Sequence, residues 1–239
     1  MRLNKTILIT GSSRNLGKYI ANFFLKLNYQ VICVSKKKLN NLKSDNYICD
    51  LSKNKKFEIF FRKIKKKYKK IDLIISCAGT SKKTFKVVEN QTDWFSALND
   101  NFFSFTNLID SYCNIYKYKP TKIIAISTIA AEKITQAPIT YAVAKSALNF
   151  YAQIKAKKLA KYKIKLNIIM PGNILMKNNN WSKKIKKNKN QIKKYIKSEV
   201  PLNEFCNPNQ IAEICKYLFS KSGDNITGSK FIIDGGESL

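Results

Sequence analysis

Short apolar runs alternate along the whole chain with longer stretches in which hydrophobic residues recur every three or four positions. The short runs predict strands at Thr6–Thr10, Val31–Ser35, Tyr47–Cys49, Ile71–Cys77, Lys122–Ser127, Lys165–Met170 and Lys230–Ile233. The longer periods predict helices near Leu16–Leu27, Lys53–Tyr68, Asp93–Tyr116, Tyr141–Tyr162 and Pro208–Phe219. The strands read as continuous Ile/Val/Leu runs, the pattern of strands covered on both faces. Seven strands interleaved with helices predict one α/β domain over residues 1–239, a doubly wound parallel sheet with helices on both faces. Ligands of such sheets bind beyond the carboxyl ends of the strands, at the switch point. One stretch breaks the rhythm. Residues 173–200 are too polar and too long for an ordinary connection, and predict a functional loop carrying a short helix, with Ile185, Ile192 and Ile196 on one apolar stripe.

Charge first suggests a different picture. The 45 basic and 15 acidic residues give +30, with arginine only at positions 2, 14 and 62. Such a balance suits phosphate neutralisation on nucleic acid. The distribution favours a solvated coat. Between Lys53 and Lys70 lie ten basic residues, yet Phe57, Phe60, Phe61, Ile64 and Tyr68 recur at helical spacing among them. Lysine also accompanies abundant Asn, Ile, Tyr and Phe, all with A/T-rich codons, so compositional drift explains it without a nucleic-acid partner. The chain is 44% hydrophobic, enough for a real core.

The six cysteines show no CxxC spacing and sit in or beside apolar runs, which predicts reduced thiols and a cytoplasmic setting. No apolar stretch approaches membrane-spanning length, and a strand predicted almost at the N-terminus leaves no room for a signal peptide. There is no histidine, which excludes Ser-His-Asp and Cys-His catalysis and His-containing zinc sites; no metal site is expected.

Thr10-Gly-Ser-Ser-Arg-Asn-Leu-Gly17 joins the first strand to the first helix. Gly11 permits a tight turn close to a pyrophosphate, Gly17 permits close helix–sheet packing, and the helix N-terminus offers free N–H groups to an anion. Tyr141 and Lys145 stand four apart at a helix start, hence on one face. A nearby ammonium favours a phenolate and would make the tyrosine a usable acid/base near neutrality.

These residues resemble the TGxxxGxG turn and YxxxK pair of the short-chain dehydrogenase/reductase family. The resemblance continues in order through Asp50-Leu51, Ser76-Cys77-Ala78-Gly79, Asn101, Pro171-Gly172 and Asp234-Gly235-Gly236. Within the family, Val200-Pro201-Leu202 and the Ile226–Gly228 to Gly236 ending look most like 3-oxoacyl-acyl-carrier-protein reductases. The resemblance implies a Rossmann fold and cofactor contacts from Gly11, Ser13, Arg14, Asn15, Leu16, Gly17, Ser35, Lys36, Asp50, Leu51, Cys77, Ala78, Gly79, Pro171, Gly172 and Ile174, with Tyr141 and Lys145. NAD enzymes of this fold place an acid near the end of the second strand. Here that strand runs into Lys36-Lys37-Lys38 and the first acid is Asp45. With Arg14 in the turn, this predicts NADP(H).

The resemblance further implies that Tyr141 protonates a substrate carbonyl oxygen while hydride arrives from the cofactor, and that Lys145 holds the nicotinamide ribose. Thr128, thirteen residues before Tyr141, takes the place of the usual serine. It is preferred to Ser127, which a one-residue shift turns to the opposite face. Asn101, seven after Trp94, falls where the family keeps an asparagine joined to the lysine through water. Asn15, Cys77, Thr128 and Met176 replace the family's Gly, Asn, Ser and Thr.

Three functions follow as alternatives. The first is reduction of a 3-oxoacyl thioester on acyl-carrier protein or CoA, with lid lysines between Trp181 and Lys197 attracting an acidic carrier. The second is a keto-reductase or dehydrogenase of a sugar or other small carbonyl. The third is a non-catalytic protein that binds NADP or nucleic acid. Aromatic residues Phe102, Phe103, Phe105, Phe150 and Tyr151 on two helices, which pair across a dyad in this family, imply a homodimer or homotetramer.

Overall fold

The computed structural model describes residues 3–37, 43–81, 88–177 and 179–239; Lys38 of the predicted cofactor segment, and Asn178, lie outside them. Seven strands form one parallel sheet: β1 (Leu3–Thr10), β2 (Tyr29–Ser35), β3 (Asp45–Ile48), β4 (Leu73–Ser76), β5 (Lys122–Ile126), β6 (Lys165–Pro171) and β7 (Lys230–Ile233), in the order β3-β2-β1-β4-β5-β6-β7. The order reverses between β1 and β4, which opens the crevice where this topology binds ligands.

Side chains alternate between two cores. Leu8, Ile32, Val34, Ile74, Ile123 and Ile168 face α2 (Asn54–Lys67), α4 (Ser104–Tyr116) and α5 (Ile139–Leu159). Ile7, Ile9, Val31, Cys33, Ile75, Ile124 and Ile169 face α1 (Asn15–Lys26) and α8 (Pro208–Phe219). Both faces are dry, which is why the strand pattern is continuous. On α2 the aromatic stripe is buried and nine of the ten basic residues between Lys53 and Lys70 are exposed, so the lysines there are a solvated coat. All six cysteines are free thiols, and no helix among the described residues is long and apolar enough to cross a membrane.

β1 and β2 begin a few residues earlier than expected, and three further segments differ in ways that have a physical cause. β3 starts earlier, because the polar Asp45 and Asn46 of this edge strand carry no apolar signal. β4 starts later than expected: the Asp72 carboxylate accepts from the Thr6 amide at 2.9 Å in place of a regular ladder bond. The long helix expected over Asp93–Tyr116 is broken into α3 (Gln91–Leu98), a π turn (Asn99–Phe103) and α4. There Asn101 Nδ2 donates to the Ala97 carbonyl at 3.0 Å, competing for an acceptor that regular helix would give to the backbone.

Residues 173–200 hold two helices rather than one, α6 (Asn180–Lys187) and α7 (Lys189–Glu199). Asn188 ends the first and caps the second, accepting from the Gln191 amide at 3.0 Å. The single isoleucine stripe is therefore split. Ile192, Ile196 and Val200 form a small separate core, with Ile185, Trp181, Tyr195 and Phe205 packed on it.

Candidate active site

The carboxyl ends of β1, β2, β4, β5 and β6 bring together most of the residues singled out in the sequence. Thr10 Oγ1 accepts from the Ala78 amide at 3.2 Å, tying the end of β1 to the end of β4. Gly11 has φ +67°, and a Cβ there would lie 2.8 Å from the Ala78 nitrogen and the Cys77 carbonyl. A Cβ on Gly17 would sit 2.4 Å from the Gly11 oxygen. Asn15, replacing a glycine, takes φ +46°, a conformation Asn enters more readily than most residues. Asn90, Asn179, Asn188 and Asn207 cap α3, α6, α7 and α8. α1 has no side-chain cap bond and no acid in its first turn, which leaves its amide groups for an anion. Arg14 and Asn15 of this turn are exposed, and Ser13 and Leu16 are half-buried. A backbone cradle that side chains would fill, at an uncapped helix start, fits a dinucleotide pyrophosphate.

At the end of β2, Ser35 is buried and donates to the Lys37 carbonyl. The sequence placed no acid near the end of this strand, but the fold brings two to Lys36. Its ammonium lies 2.7 Å from Asp100 and 3.2 Å from Asp50, which reach it from the π turn and the β3–α2 connection. Proximity in sequence missed both. The two carboxylates raise the Lys36 pKa against the opposing effect of burial. Asp50 also accepts from the Ser52 amide and hydroxyl, and Leu51 is buried beneath.

Tyr141 and Lys145 occupy the first turns of α5. Lys145 is buried and donates to the Ile126 carbonyl at the end of β5 at 2.9 Å. Burial brings its pKa down to about 8. The Tyr141 hydroxyl lies beside the Thr128 side chain. Its pKa is pushed up to about 12 by burial, with the Thr128 side chain opposing. The expected lowering of the phenol by Lys145 is thus corrected: the ammonium is spent on Ile126, and desolvation of the phenolate wins. A phenol held at about 12 keeps its proton, as a donor to a carbonyl requires. Thr128 also caps the short 3₁₀ turn Ile129–Ala131. Ser127 points elsewhere; its buried Oγ has no hydrogen-bond partner among the described residues.

Asn101 is fully buried. Its side chain clamps Thr80 on both sides, accepting from the amide and donating to the carbonyl at 3.0 Å each. With the Ala97 bond this occupies both of its amide protons. A Cβ on Gly79 would lie 2.7 Å from Asn101 Oδ1 and 3.3 Å from Lys145 Nζ, so this glycine leaves the space between the two open. Cys77, beside Lys145, is raised to about 12 by burial and stays a neutral thiol. A cavity of about 160 Å³ opens at Tyr141, lined by Thr80, Ser96, Ala97, Asp100 and Thr140 among others.

On the far side, the Gly172 amide donates to the Ile233 carbonyl at 2.9 Å, extending the β6–β7 pairing past Pro171. Ile174 forms an isolated parallel bridge with Cys206, and Met176 is half-buried two residues on. A second cavity of about 230 Å³ lies against α6 and α7, lined by Gln136, Trp181, Lys184, Lys187, Gln191 and Tyr195 among others. Asp100, Thr80 and Gln136 were not read from the sequence, whereas the rest of this lining falls in the 173–200 stretch that was. Asp100 carried one signal, an acid beside Asn101 in a chain with only 15 acids.

The comparisons agree with this geometry. A family model described as "Enoyl-(Acyl carrier protein) reductase" matches residues 12–238. The chain is 29% identical over 246 residues to a 3-oxoacyl-[acyl-carrier-protein] reductase FabG of Buchnera aphidicola, covering 99% of this chain and 98% of the relative. It superposes with TM-score 0.88 on a short chain dehydrogenase from Leptospira borgpetersenii with bound NAD+, at 23% identity, covering 100% of this chain and 94% of the other. It superposes equally well, TM-score 0.88, on RhlG of Pseudomonas aeruginosa in complex with NADP, at 21% identity and 99% and 97% coverage. A match over nearly the whole length, a cradle for a nicotinamide dinucleotide and the tyrosine–lysine pair at the strand ends together place the chain in the short-chain dehydrogenase/reductase family, as an oxidoreductase.

Proposed function

We propose that the protein reduces a carbonyl to a hydroxyl with NADPH, and that its substrate is a 3-oxoacyl thioester carried on acyl-carrier protein or CoA. The observation that carries the reading is Tyr141: a protonated phenol beside Thr128, with Lys145 one helical turn behind it and a small cavity in front. Bound reduced nicotinamide supplies hydride to the carbonyl carbon. The chain supplies the rest. Thr128 and Tyr141 hold the carbonyl oxygen, Tyr141 gives it the proton as the C=O bond becomes C–O–H, and Lys145 would hold the nicotinamide ribose hydroxyls. Gly11, Ser13, Asn15, Leu16 and Gly17 would hold the pyrophosphate, Ala78, Gly79, Pro171, Gly172 and Ile174 the nicotinamide half, and Asp50 and Leu51 the adenine side. Arg14 and Lys36 would take a 2′-phosphate, with Lys36 exchanging carboxylate partners for phosphate ones. Asn101 braces the Gly79–Thr80 segment beside Lys145.

Segment 173–200 is read as the substrate lid. Its lysines at 183, 186, 187, 189, 193, 194 and 197 are exposed, a surface suited to an acidic carrier. Of the aromatic residues expected at such a contact, Phe105 is buried in the core and Phe102 and Tyr151 pack against it, while Phe103 and Phe150 are exposed; with exposed Phe95, Val143 and Ile154 these two are read as a contact with a second copy. The curated relative is named for the same reduction. A sugar or small ketone is the second reading, favoured by the small cavity at Tyr141. Following NADPH consumption with acetoacetyl thioester against a panel of ketones and sugars decides between them. Turnover of the thioester at the highest kcat/KM is expected. No thioester turnover beside good ketone turnover overturns the first reading.

A further inference from the structure

Two acids are buried where α6 and α7 meet the chain end, Asp234 and Glu237, and Glu237 is the one that reaches α7. Glu237, third from the end, is 4% exposed. Its Oε1 accepts from Asn173 Nδ2 at 2.7 Å and from the Tyr195 hydroxyl at 3.1 Å. Asn173 Nδ2 also donates to the Tyr195 oxygen at 3.0 Å, closing a triangle. Glu237 Oε2 accepts from the Asn173 amide at 3.4 Å, and the Glu237 backbone carbonyl accepts from Lys133 Nζ. The turn carrying Glu237 is fixed by Asp234, which accepts from the Gly236 and Ser238 amides at 2.9 and 2.8 Å.

These partners belong to three different parts of the site. Asn173 directly follows Gly172 at the end of β6. Lys133 lies between Thr128 and Tyr141. Tyr195 belongs to α7 and stacks on Trp181 of α6 at 5.3 Å, and the two rings wall the 230 Å³ cavity. The approach is close enough that a Cβ on Gly172 would lie 3.0 Å from Glu237 Oε2. We infer that Glu237 is a positioning residue that latches α7, and through Tyr195 and Trp181 the substrate-facing wall of the lid, to the end of β6 and to the Thr128–Tyr141 segment. This rests on reading 173–200 as a lid over the carbonyl site. Burial raises the carboxyl pKa while the Tyr195 and Asn173 bonds hold the carboxylate form. A buried acid with three donors is costly to leave half-satisfied, so its loss should loosen what it joins.

The test uses the full chain with Trp94→Phe, which leaves Trp181 as the only tryptophan. Hydrogen exchange over residues 180–199 and Trp181 anisotropy are measured without substrate, and steady-state kinetics with whichever carbonyl compound turns over. Glu237→Ala is expected to speed exchange over 189–199 by about tenfold while β1 to β5 keep their protection. It should raise the carbonyl KM by about tenfold, with kcat and the cofactor KM within about twofold. Glu237→Gln, which keeps the Oε1 acceptor, should recover most of the loss. Tyr195→Phe should give a smaller KM rise, and the double variant Tyr195→Phe/Glu237→Ala should be no worse than Glu237→Ala alone. Unchanged exchange in Glu237→Ala overturns the latch, as does exchange raised uniformly across the sheet, or a double variant whose effect is the product of the singles. The exchange readout needs no substrate, so a failure of the thioester reading leaves it standing.

Discussion

The strand-end site and the lysine-rich α6–α7 pair are built on opposite principles. Tyr141 and Lys145 stand on a helix whose inner face is part of the largest core, and Lys145 is itself buried. Their positions are set by a sheet that cannot shift without breaking that core. α6 buries no residue at all, and α7 buries only Ile192 and Ile196, in a small core of their own. Little apolar area holds α6 and α7, so polar links and packed aromatics must define their place. The contrast separates two tasks: proton transfer needs fixed geometry at the strand ends, and substrate fit can be adjusted on a lightly anchored pair of helices without disturbing it.

The largest effect should come from the rigid side. Lys145→Met removes the ammonium beside Ile126 and Gly79, and kcat for carbonyl reduction should fall about 10²–10⁴-fold, the range of a positioned acid–base group. An unfolding midpoint close to that of the parent would place the loss in chemistry; retained kcat would break the separation. pH dependence gives the next test. With its pKa lowered to about 8, Lys145 is charged below that pH and neutral above it. Tyr141, raised to about 12, stays protonated across the same window. Reduction should therefore hold steady below about pH 8 and fall roughly tenfold per pH unit above it. A plateau extending to pH 10 would show that the ammonium is not needed.

The loosely held side should respond differently. Lys184→Gln/Lys187→Gln should raise KM for an acidic carrier-bound substrate about three- to tenfold, with salt sensitivity reduced and a neutral ketone unaffected. Equal effects on charged and neutral substrates would deny the lid its electrostatic part. The smallest shift is expected at the cofactor's far end. Asp100→Asn removes one of the two carboxylates on Lys36, and the NADPH over NADH preference in kcat/KM should rise about threefold, as exposed pairs are worth little. An unchanged or lower preference would show that Lys36 does not meet a 2′-phosphate.

What the sequence revealed follows the same division. β1, β2, β5, β6 and α2 could be read because their apolar residues obey one period and burial rewards it. Tyr141, Lys145 and the Gly11–Gly17 turn were legible because their spacing is local. Asp50 and Asp100 on Lys36, and Glu237 on Tyr195, join residues 14, 64 and 42 positions apart, and no short spacing encodes that. Asn188 splits α6 from α7 by serving as a cap, a role that a polar residue in a polar run does not advertise. The π turn at Asn101 arises from a side chain competing for a backbone acceptor, which periodicity cannot register. The pKa of Tyr141 was read with the wrong sign because a four-residue spacing reports proximity to Lys145 but not where the ammonium points or how dry the phenol is.

The central claim is that the Tyr141 proton completes the reduction. Its most direct measurement is single-turnover oxidation of NADPH by Tyr141→Phe beside the parent, with acetoacetyl thioester saturating and cofactor affinity measured separately. The expected result is a rate lowered by about 10²–10⁴-fold with NADPH bound as tightly as before. A Tyr141→Phe enzyme that oxidises NADPH at the parent's rate would contradict the claim.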